Sequence, residues 1–390
     1  MNAKKQRVLI SAGEESGDLQ GANLVTALKA ICPDIRFYGL GGKKMRQAGV
    51  ETCSDIDRMG GLGLVEFIGG ICHHWRVYRI LRREIASGKY TAVILVHYPL
   101  FNLFLAKACR KANLPVFFFI SPQIWAWRKG RIKAIRQVVS KMYVILPFEE
   151  KLYLDENVDV EFVGHPFVEL VKPTLSREDA FREFGLVPGV KTIGLLPGSR
   201  KSEVDLLLDV MVDAAERIKK ELGDCQFVLP VADTINPEYV RSKLLHAPVE
   251  IKVVTGKAYD AMNCSDYLIC ASGSVTLEAG LLGCPMVIVY KLKALSYWVY
   301  RWFVNVKNFG LVNIVAGEEV VPELLQFQVT AERIASEALS VLKKPERQQA
   351  IRARLFRVRE SLGEPGVAHR LAKSIVEYLT RQKTHEKVSF

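Results

Sequence analysis

Two short turns rich in glycine and serine are the segments of this sequence best suited to bind phosphate. One follows the apolar run 192–196, and the other lies between the apolar run 267–270 and the helical pattern 275–282. Glycine lets a ligand approach the backbone closely, and a helix N-terminus offers free N–H groups and the positive end of a dipole. Arg200 can donate two hydrogen bonds to phosphate oxygens. The residues predicted to contact a diphosphate are Gly198, Ser199, Arg200, Ser272, Gly273 and Ser274.

Either turn alone is better explained as an ordinary strand-to-helix connection. The pair, with Arg200 in place, favours a nucleotide site.

A second candidate region, Gly13-Glu14-Glu15-Ser16-Gly17-Asp18, follows the first predicted strand. Its small residues suit close contact with a ligand at the start of a helix. Its three acidic residues would repel a phosphate, so sugar hydroxyls are a better match. An ordinary helix start with acidic residues in its first turn explains the segment equally well.

His97 directly follows the apolar run 92–96, and Pro99 ends that strand. In α/β sheets, ligands bind at the carboxyl ends of the strands, so His97 is a candidate catalytic residue. Histidine side chains ordinarily titrate near pH ~6.5 and serve as general bases. A half-buried histidine that bonds to its own loop is the alternative, and the position in the sequence leaves both open.

The composition favours an anionic partner. The 390 residues carry a formal net charge of +12, and 49% of them are hydrophobic. Because the sequence contains no nucleic-acid-binding module, we assign the charge to lipid and phosphorylated ligands rather than to nucleic acid. Its eight cysteines form no C-x-x-C pair, so the pattern indicates neither a zinc site nor a disulfide framework, and a reducing cytoplasm fits best.

Two stretches, residues 60–83 and 297–307, place apolar and aromatic side chains beside cations. This pattern is typical of a helix that lies on an anionic membrane surface, although core packing would also explain either stretch alone. The most apolar runs, 92–106 and 114–127, fall short of the roughly 20 residues that a membrane-spanning helix needs.

Strand and helix patterns alternate in two successive series. The predicted strands are residues 7–12, 35–40, 92–96, 116–120, 142–146 and 161–163, followed by 192–196, 226–230, 250–254, 267–270 and 286–290. Continuous apolar runs are typical of parallel strands buried on both faces. The alternation predicts an α/β fold with two doubly wound domains, at residues 1–170 and 171–340, joined by a linker at 171–177. C-terminal helices at 341–390 are expected to pack back across the domains.

The order of these motifs resembles the lipid-A-disaccharide synthase family over nearly the whole chain. The matching segments are Gly13-Glu14-Glu15-Ser16-Gly17-Asp18, Ser121-Pro122-Gln123-Ile124-Trp125-Ala126-Trp127-Arg128, Leu146-Pro147-Phe148-Glu149, Val163-Gly164-His165, Leu196-Pro197-Gly198-Ser199-Arg200, Ala271-Ser272-Gly273-Ser274, Tyr290-Lys291 and Asn313-Ile314-Val315-Ala316-Gly317.

The resemblance implies a glycosyltransferase of the GT-B type, with two Rossmann-like domains that face each other across a cleft. The family joins UDP-2,3-diacylglucosamine to 2,3-diacylglucosamine 1-phosphate, with inversion, and releases UDP. It acts in the cytoplasm at the surface of the inner membrane. These two acylated sugars and an anionic membrane surface are therefore the expected partners. A homodimer is left open, and no cofactor or metal ion is expected.

The resemblance also suggests roles for individual residues. Arg200 and the two Gly/Ser turns would stabilise the departing diphosphate, and Glu278 would hold the ribose hydroxyls. Contacts with the acceptor sugar are expected from Glu15, Ser16, Gly17, Asp18 and Asn102.

One position departs from the family pattern Asp-x-Pro-x-Phe-Asn. Pro99, Phe101 and Asn102 match it, whereas His97 stands where the family usually has the aspartate. We therefore assign the role of base to His97. The alternatives are another GT-B enzyme that uses a UDP-sugar, either an epimerase or a lipid-linked transferase, and an inactive lipid-binding relic that has lost its acid.

Overall fold

The computed structural model describes residues 6–56, 71–124, 131–291 and 308–388. The chain divides into two compact units, which we call unit 1 (Met1–Pro166 with Gly363–Phe390) and unit 2 (Phe167–Leu362). Each unit has its own parallel sheet.

Unit 1 alternates strands and helices along most of its length. Its elements are β1 (Arg7–Ala12), α1 (Glu15–Ile31), β2 (Arg36–Leu40), α2 (Lys43–Gln47), β3 (Val50–Ser54), α3 (Ile71–Ala86), β4 (Ala92–Val96), α4 (Pro99–Lys111), β5 (Val116–Phe119), α5 (Arg131–Val138), β6 (Lys141–Val144), α6 (Pro147–Leu154) and β7 (Val160–Phe162). The sheet order is β3-β2-β1-β4-β5-β6-β7.

The order of this sheet reverses between β1 and β4, which are neighbours. Ala12 pairs with Val96 at the carboxyl ends of these two strands, so the loops that follow them begin side by side. In doubly wound sheets, this reversal point is where ligands bind.

Side chains of the central strands alternate between two apolar cores, one on each face of the sheet. Ile94 and Phe117 lie in one core, and Val93 and Phe118 lie in the other. Because successive side chains of a strand point to opposite faces, a strand covered on both faces must be apolar throughout. This requirement explains the continuous apolar runs in the sequence.

Unit 2 repeats the same plan. Its elements are α7 (Phe167–Leu170), α8 (Arg177–Phe184), β8 (Lys191–Leu196), α9 (Lys201–Leu222), β9 (Cys225–Val231), α10 (Pro237–Leu244), β10 (Ile251–Thr255), α11 (Ala258–Cys264), β11 (Tyr267–Ala271), α12 (Ser274–Leu281), β12 (Met286–Tyr290), α13 (Leu311–Ala316), β13 (Glu323–Leu325), α14 (Ala331–Leu342) and α15 (Pro345–Ser361). The order β10-β9-β8-β11-β12-β13 is the Rossmann order, with its reversal between β8 and β11.

The last two helices belong to different units. Helix α15 packs in unit 2, where Leu355 is fully buried. Helix α16 (Val367–Val388) packs against α1 and adds Leu371 and Ile375 to a core of unit 1. The sequence-based division into 1–170, 171–340 and 341–390 treats these helices as one segment, whereas burial of their apolar faces assigns them to separate units.

The predicted fold class, two Rossmann-like doubly wound α/β domains, is confirmed by the two parallel sheets.

Candidate functional site

A cavity of about 350 Å³ lies in unit 2, at the point where the order of its sheet reverses. The turn after β8 and the turn after β11 both line it, as does the first part of α12. The structure thus brings together all the residues predicted to bind the donor, namely Gly198, Ser199, Arg200, Ser272, Gly273, Ser274 and Glu278.

The turn after β8 ends in a group of hydrogen-bond donors at the start of α9. The backbone N–H groups of Ser199 and Arg200 donate to Oε2 of Glu203, at 3.0 and 3.2 Å. The guanidinium of Arg200 lies 3.2 Å from Oε1 of the same carboxylate, and its side chain is 67% exposed. Gly198 has a φ of +120°, a conformation that other residues rarely adopt.

Glu203 accepts hydrogen bonds from all of these donors, and the sequence analysis did not identify it. It lies three residues after Arg200, the spacing at which a side chain can reach back to the start of its own helix. That spacing is the feature of the sequence from which the contact could have been predicted.

The turn after β11 is held from both sides. Ser272 Oγ donates to the carbonyl of Phe309 at 3.1 Å, and Ser274 Oγ donates to Glu278 Oε1 at 2.9 Å. Burial raises the pKa of the Glu278 carboxyl, and hydrogen bonds from Ser274 and Tyr259 oppose part of this increase. The carboxyl group of Glu278 is half-buried and lines the cavity.

A buried polar network supports that turn from behind, and the sequence analysis gave its members no role. Glu323 accepts hydrogen bonds from the backbone N–H groups of Phe309 and Gly310, and Asn313 donates to Glu323 at 2.8 Å. The network fixes residues 309–310, to which Ser272 bonds. The resemblance already pointed to the motif that begins at Asn313.

In unit 1, the loops after β1 and β4 bring Glu14 and His97 together. Nδ1 of His97 lies 3.2 Å from Oε2 of Glu14, and the two side chains are 27% and 12% exposed. His97 and Tyr98 both have left-handed backbones, with φ of +47° and +49°. For residues other than glycine this conformation costs about 1–3 kcal/mol each, and such strain clusters at functional sites.

Asn102 holds this strained turn in place. Its amide nitrogen donates to the carbonyl of His97 at 2.7 Å and to that of Val96 at 3.2 Å, while Ser11 Oγ donates to its amide oxygen at 2.7 Å. Asn102 is fully buried. We therefore revise its predicted role from contact with the acceptor to positioning of His97, because both of its polar atoms are bonded within the protein.

The predicted sugar-binding loop divides into exposed and buried residues. Glu15 and Ser16 are exposed at the start of α1. Asp18 is buried and accepts hydrogen bonds from three backbone N–H groups at the start of α2, of which the shortest is 2.7 Å from Gly42. Gly17 is buried against β1. The structure leaves Glu15 and Ser16 as the candidates for sugar contact and gives Asp18 a capping role.

Tyr98 closes the turn on its other side. Its ring covers Gly13, where an added Cβ would lie 2.2 Å from the ring. Its hydroxyl bonds to Nε2 of the buried His74, on α3. Burial raises the pKa of Tyr98 to about 12, and the nearby charge of Glu14 adds to this. No pattern in the sequence indicated this pair.

The exposed side of α3 and α4 is both apolar and cationic. Trp75, Leu100 and Phe104 are 61%, 50% and 59% exposed, and Lys107 lies over the ring of Phe104. Arg76, Arg79, Arg82 and Arg83 are exposed on α3. We call this surface, defined by these eight residues, the α3–α4 patch.

The remaining predicted membrane contacts, residues 60–70 and 297–307 of the two amphipathic stretches, lie outside the described residues. Among the described helices, none combines the length and apolar character that crossing a bilayer would require.

Comparisons with known proteins agree over the length of the chain. Residues 8–376 match the family model described as lipid-A-disaccharide synthetase. Lipid-A-disaccharide synthase of Syntrophus aciditrophicus is 46% identical over 373 residues, which cover 95% of this chain and 97% of that protein.

Two solved structures share the fold. A putative UDP-N-acetylglucosamine 2-epimerase from Listeria monocytogenes has a TM-score of 0.63 and 15% identity, and covers 98% of this chain and 97% of its own. The calicheamicin glycosyltransferase CalG4 has a TM-score of 0.56 and 12% identity, and covers 97% and 99%. At such identities the likeness concerns architecture alone, and it confirms the predicted GT-B architecture.

Proposed function

The chain belongs to the lipid-A-disaccharide synthase family, and from this membership we propose that it joins UDP-2,3-diacylglucosamine to 2,3-diacylglucosamine 1-phosphate and releases UDP. The observation that carries the proposal is the cavity in unit 2, which collects both Gly/Ser turns, Arg200 and Glu278. These groups match the parts of a nucleoside diphosphate, since the N–H groups and the guanidinium suit phosphate and the carboxylate suits ribose.

Unit 2 binds the donor and stabilises its leaving group. Negative charge grows on the diphosphate as the glycosidic bond to UDP breaks. Arg200 and the helix start at Ser199 supply fixed positive potential for that charge, and such groups usually make the largest contribution to catalysis. Glu278 orients the nucleoside through its ribose hydroxyls.

Unit 1 activates the acceptor. Inversion requires a single in-line displacement, in which a base removes the proton of the acceptor 6-hydroxyl as its oxygen attacks the donor carbon. His97 serves as that base through Nε2, because Nδ1 faces Glu14. The Glu14 carboxylate accepts a hydrogen bond from Nδ1–H, fixes the tautomer that leaves Nε2 basic, and stabilises the imidazolium that forms.

We propose that the α3–α4 patch binds the enzyme to the membrane that contains its acylated substrates. Its exposed aromatic and aliphatic side chains suit the headgroup boundary, and its arginines suit anionic lipid. We propose a peripheral association with the cytoplasmic face of the inner membrane.

The two alternatives have less support. Family membership favours disaccharide synthesis over an epimerase, since the epimerase structures share only the fold at 15% identity or below. The relic hypothesis predicts a decayed site, whereas the cavity in unit 2 retains its full set of predicted donor contacts.

The direct test is incubation of the purified protein with both acylated sugars in mixed micelles. We expect equal amounts of UDP and the tetraacyl disaccharide 1-phosphate, with an inverted β-1,6 linkage visible by NMR. Release of UDP without disaccharide, or turnover with a polyprenyl acceptor alone, would contradict the proposal. An inert natural protein beside an active His97→Asp variant would support the relic.

A further inference from the structure

The carboxylate of Glu203 occupies the donors that a diphosphate would use in the cavity of unit 2. Its Oε2 accepts from the backbone N–H groups of Ser199 and Arg200, and its Oε1 pairs with the Arg200 guanidinium. Two backbone N–H groups at a helix start and one guanidinium form a donor set typical of phosphate sites. In this structure, a side chain of the protein itself satisfies that set.

The space for this carboxylate exists because residue 198 is glycine. A Cβ at position 198 would lie 2.4 Å from Oε2 of Glu203 and 2.6 Å from its Cβ. The Glu203 side chain is 25% exposed and lines the cavity. The carboxylate therefore lies in the wall of the cavity, beside the turn, and not along the outer face of α9.

We propose that Glu203 is an internal anion that holds the diphosphate position in the nucleotide-free enzyme and is displaced when the donor binds. The inference rests on the proposed function, because it takes UDP as the ligand. A carboxylate and a phosphate cannot accept from the same N–H groups at once, and two anions a few ångströms apart repel. Glu203 thus weakens UDP binding and, by returning to its donors, promotes release of the product.

The ordinary explanation is that Glu203 merely caps α9. A glutamate three residues into a helix bonds to the N-terminal N–H groups in the common capping box, and glutamine does the same. The substitution Glu203→Gln therefore keeps the cap and removes the charge, so it separates the two explanations.

The experiment is isothermal titration of the full-length protein, its Glu203→Gln variant and a Glu216→Gln control with UDP, inorganic pyrophosphate and uridine. Glu216 lies on the same helix and pairs with Lys220. Removing one negative charge near the diphosphate should tighten UDP and pyrophosphate binding by about fivefold or more. Uridine carries no phosphate, so its affinity should stay the same, and the control should match the wild type for all three ligands.

A second variant, Glu203→Ala, removes both cap and charge. It should also bind UDP more tightly than the wild type, in spite of a lower melting temperature. In turnover, Glu203→Gln should lower both KM for the donor and kcat, because UDP leaves more slowly.

Three results would overturn the inference. Unchanged UDP affinity in Glu203→Gln would leave Glu203 as a cap alone. Weaker UDP binding would mean that Glu203 orients Arg200 for the ligand. In either case, loss of UDP binding in Arg200→Ala would keep the proposed function intact. If UDP binds to neither the wild type nor the variants, the proposed function fails, and this inference fails with it.

Discussion

Arg200 is the side chain on which the proposed donor chemistry depends most directly. Its guanidinium is largely exposed, and its salt bridge to Glu203 is local, so its removal should leave the fold intact. Its fork of donors matches phosphate oxygens, which a lysine ammonium would contact only as a point charge.

We predict that Arg200→Ala lowers turnover by about 10²-fold or more, the usual effect of losing one group that stabilises transition-state charge. The turnover of Arg200→Lys should lie between that of Arg200→Ala and that of the wild type. Steady-state kinetics with both sugars measures this, and an unchanged melting temperature serves as the control for folding. Near-normal turnover of a folded Arg200→Ala protein would remove Arg200 from the mechanism.

A separate prediction concerns His97 and its partner. His97→Ala should lose about 10²–10⁴ in turnover, with little change in UDP affinity, as expected for a general base. His97→Asp should keep activity, since a carboxylate at this position can also accept the proton of the acceptor hydroxyl.

Variants of Glu14 test whether this residue contributes to turnover only through its contact with His97. Glu14→Gln keeps an acceptor for Nδ1–H and should retain more activity than Glu14→Ala. In a His97→Ala background, the two Glu14 substitutions should have no further effect. Additive losses would show that Glu14 contributes independently, and normal turnover in His97→Ala would assign the base to another group.

At the scale of elements, the sequence predicted the strands that are buried on both faces and missed two at the edges. Residues 7–12, 92–96 and 286–290 coincide with β1, β4 and β12. The missed strands, β3 and β13, are the outermost strands of their sheets. Only one residue of Val50–Ser54 and one of Glu323–Leu325 is buried, so neither segment contains the continuous apolar run that marks the central strands.

The same reasoning explains what could be predicted of the site. Glycine, serine and arginine in short turns at strand ends are visible in the sequence, because their types and spacing already express the chemistry. Glu14 with His97, and Tyr98 with His74, are pairs that only the neighbouring positions of β1, β4 and α3 bring together. The burial of Asn102 and Asp18 likewise depends on tertiary packing. Because both are buried, we assign Asn102 to positioning of His97 and Asp18 to capping, and not to contact with the ligand.

Helix α3 allows a test of membrane binding at this scale. Its inner face, with Val77, Leu81 and Ile85, is buried, so the outer face is the one available to lipid. Reversing the charge of Arg79, Arg82 and Arg83 should weaken binding to anionic vesicles by at least about 100-fold, since each lost cation near such a surface contributes about 1 kcal/mol and the new acidic side chains are repelled.

Sedimentation with vesicles of defined anionic content measures this effect, and high salt should release the wild type. A control reverses three exposed cations of unit 2, Lys344, Arg352 and Arg357, and changes the net charge equally. Equal loss in both variants, or equal binding to neutral and anionic vesicles, would show that α3 is only a solvated face.

At the scale of the whole molecule, a buried histidine near the end of the first segment of unit 1 couples stability to pH. Burial lowers the pKa of His165 from 6.5 to about 4. The unfolded chain therefore binds a proton at this residue below pH 6.5, whereas the folded chain does so only near pH 4. Stability contributed by neutral His165 is present above pH 6.5 and is lost as the pH falls toward 4.

We predict that the free energy of unfolding falls by roughly 2 kcal/mol between pH ~7 and ~5 on account of His165, at about 1.4 kcal/mol per pKa unit. Urea denaturation of the wild type and His165→Gln at the two pH values measures the difference. His246→Gln, at an exposed histidine, should keep the wild-type dependence. A His165→Gln protein with an unchanged dependence would rule out this residue as the source.

The division of unit 1 into two segments has a consequence for the order of events during synthesis. Residues 7–162 supply its whole sheet, yet Leu371 and Ile375 of its core are translated only after all of unit 2. One core of unit 1, formed by residues between Leu9 and Val158, can be completed before unit 2 is made, but the other stays open until α16 covers α1. On the ribosome, unit 2 is therefore the first unit whose chain is complete. Unit 2, which we propose binds the donor, can thus finish folding before unit 1, which carries His97. A chain interrupted after Leu362 would contain all of unit 2 but would lack helix α16 of unit 1.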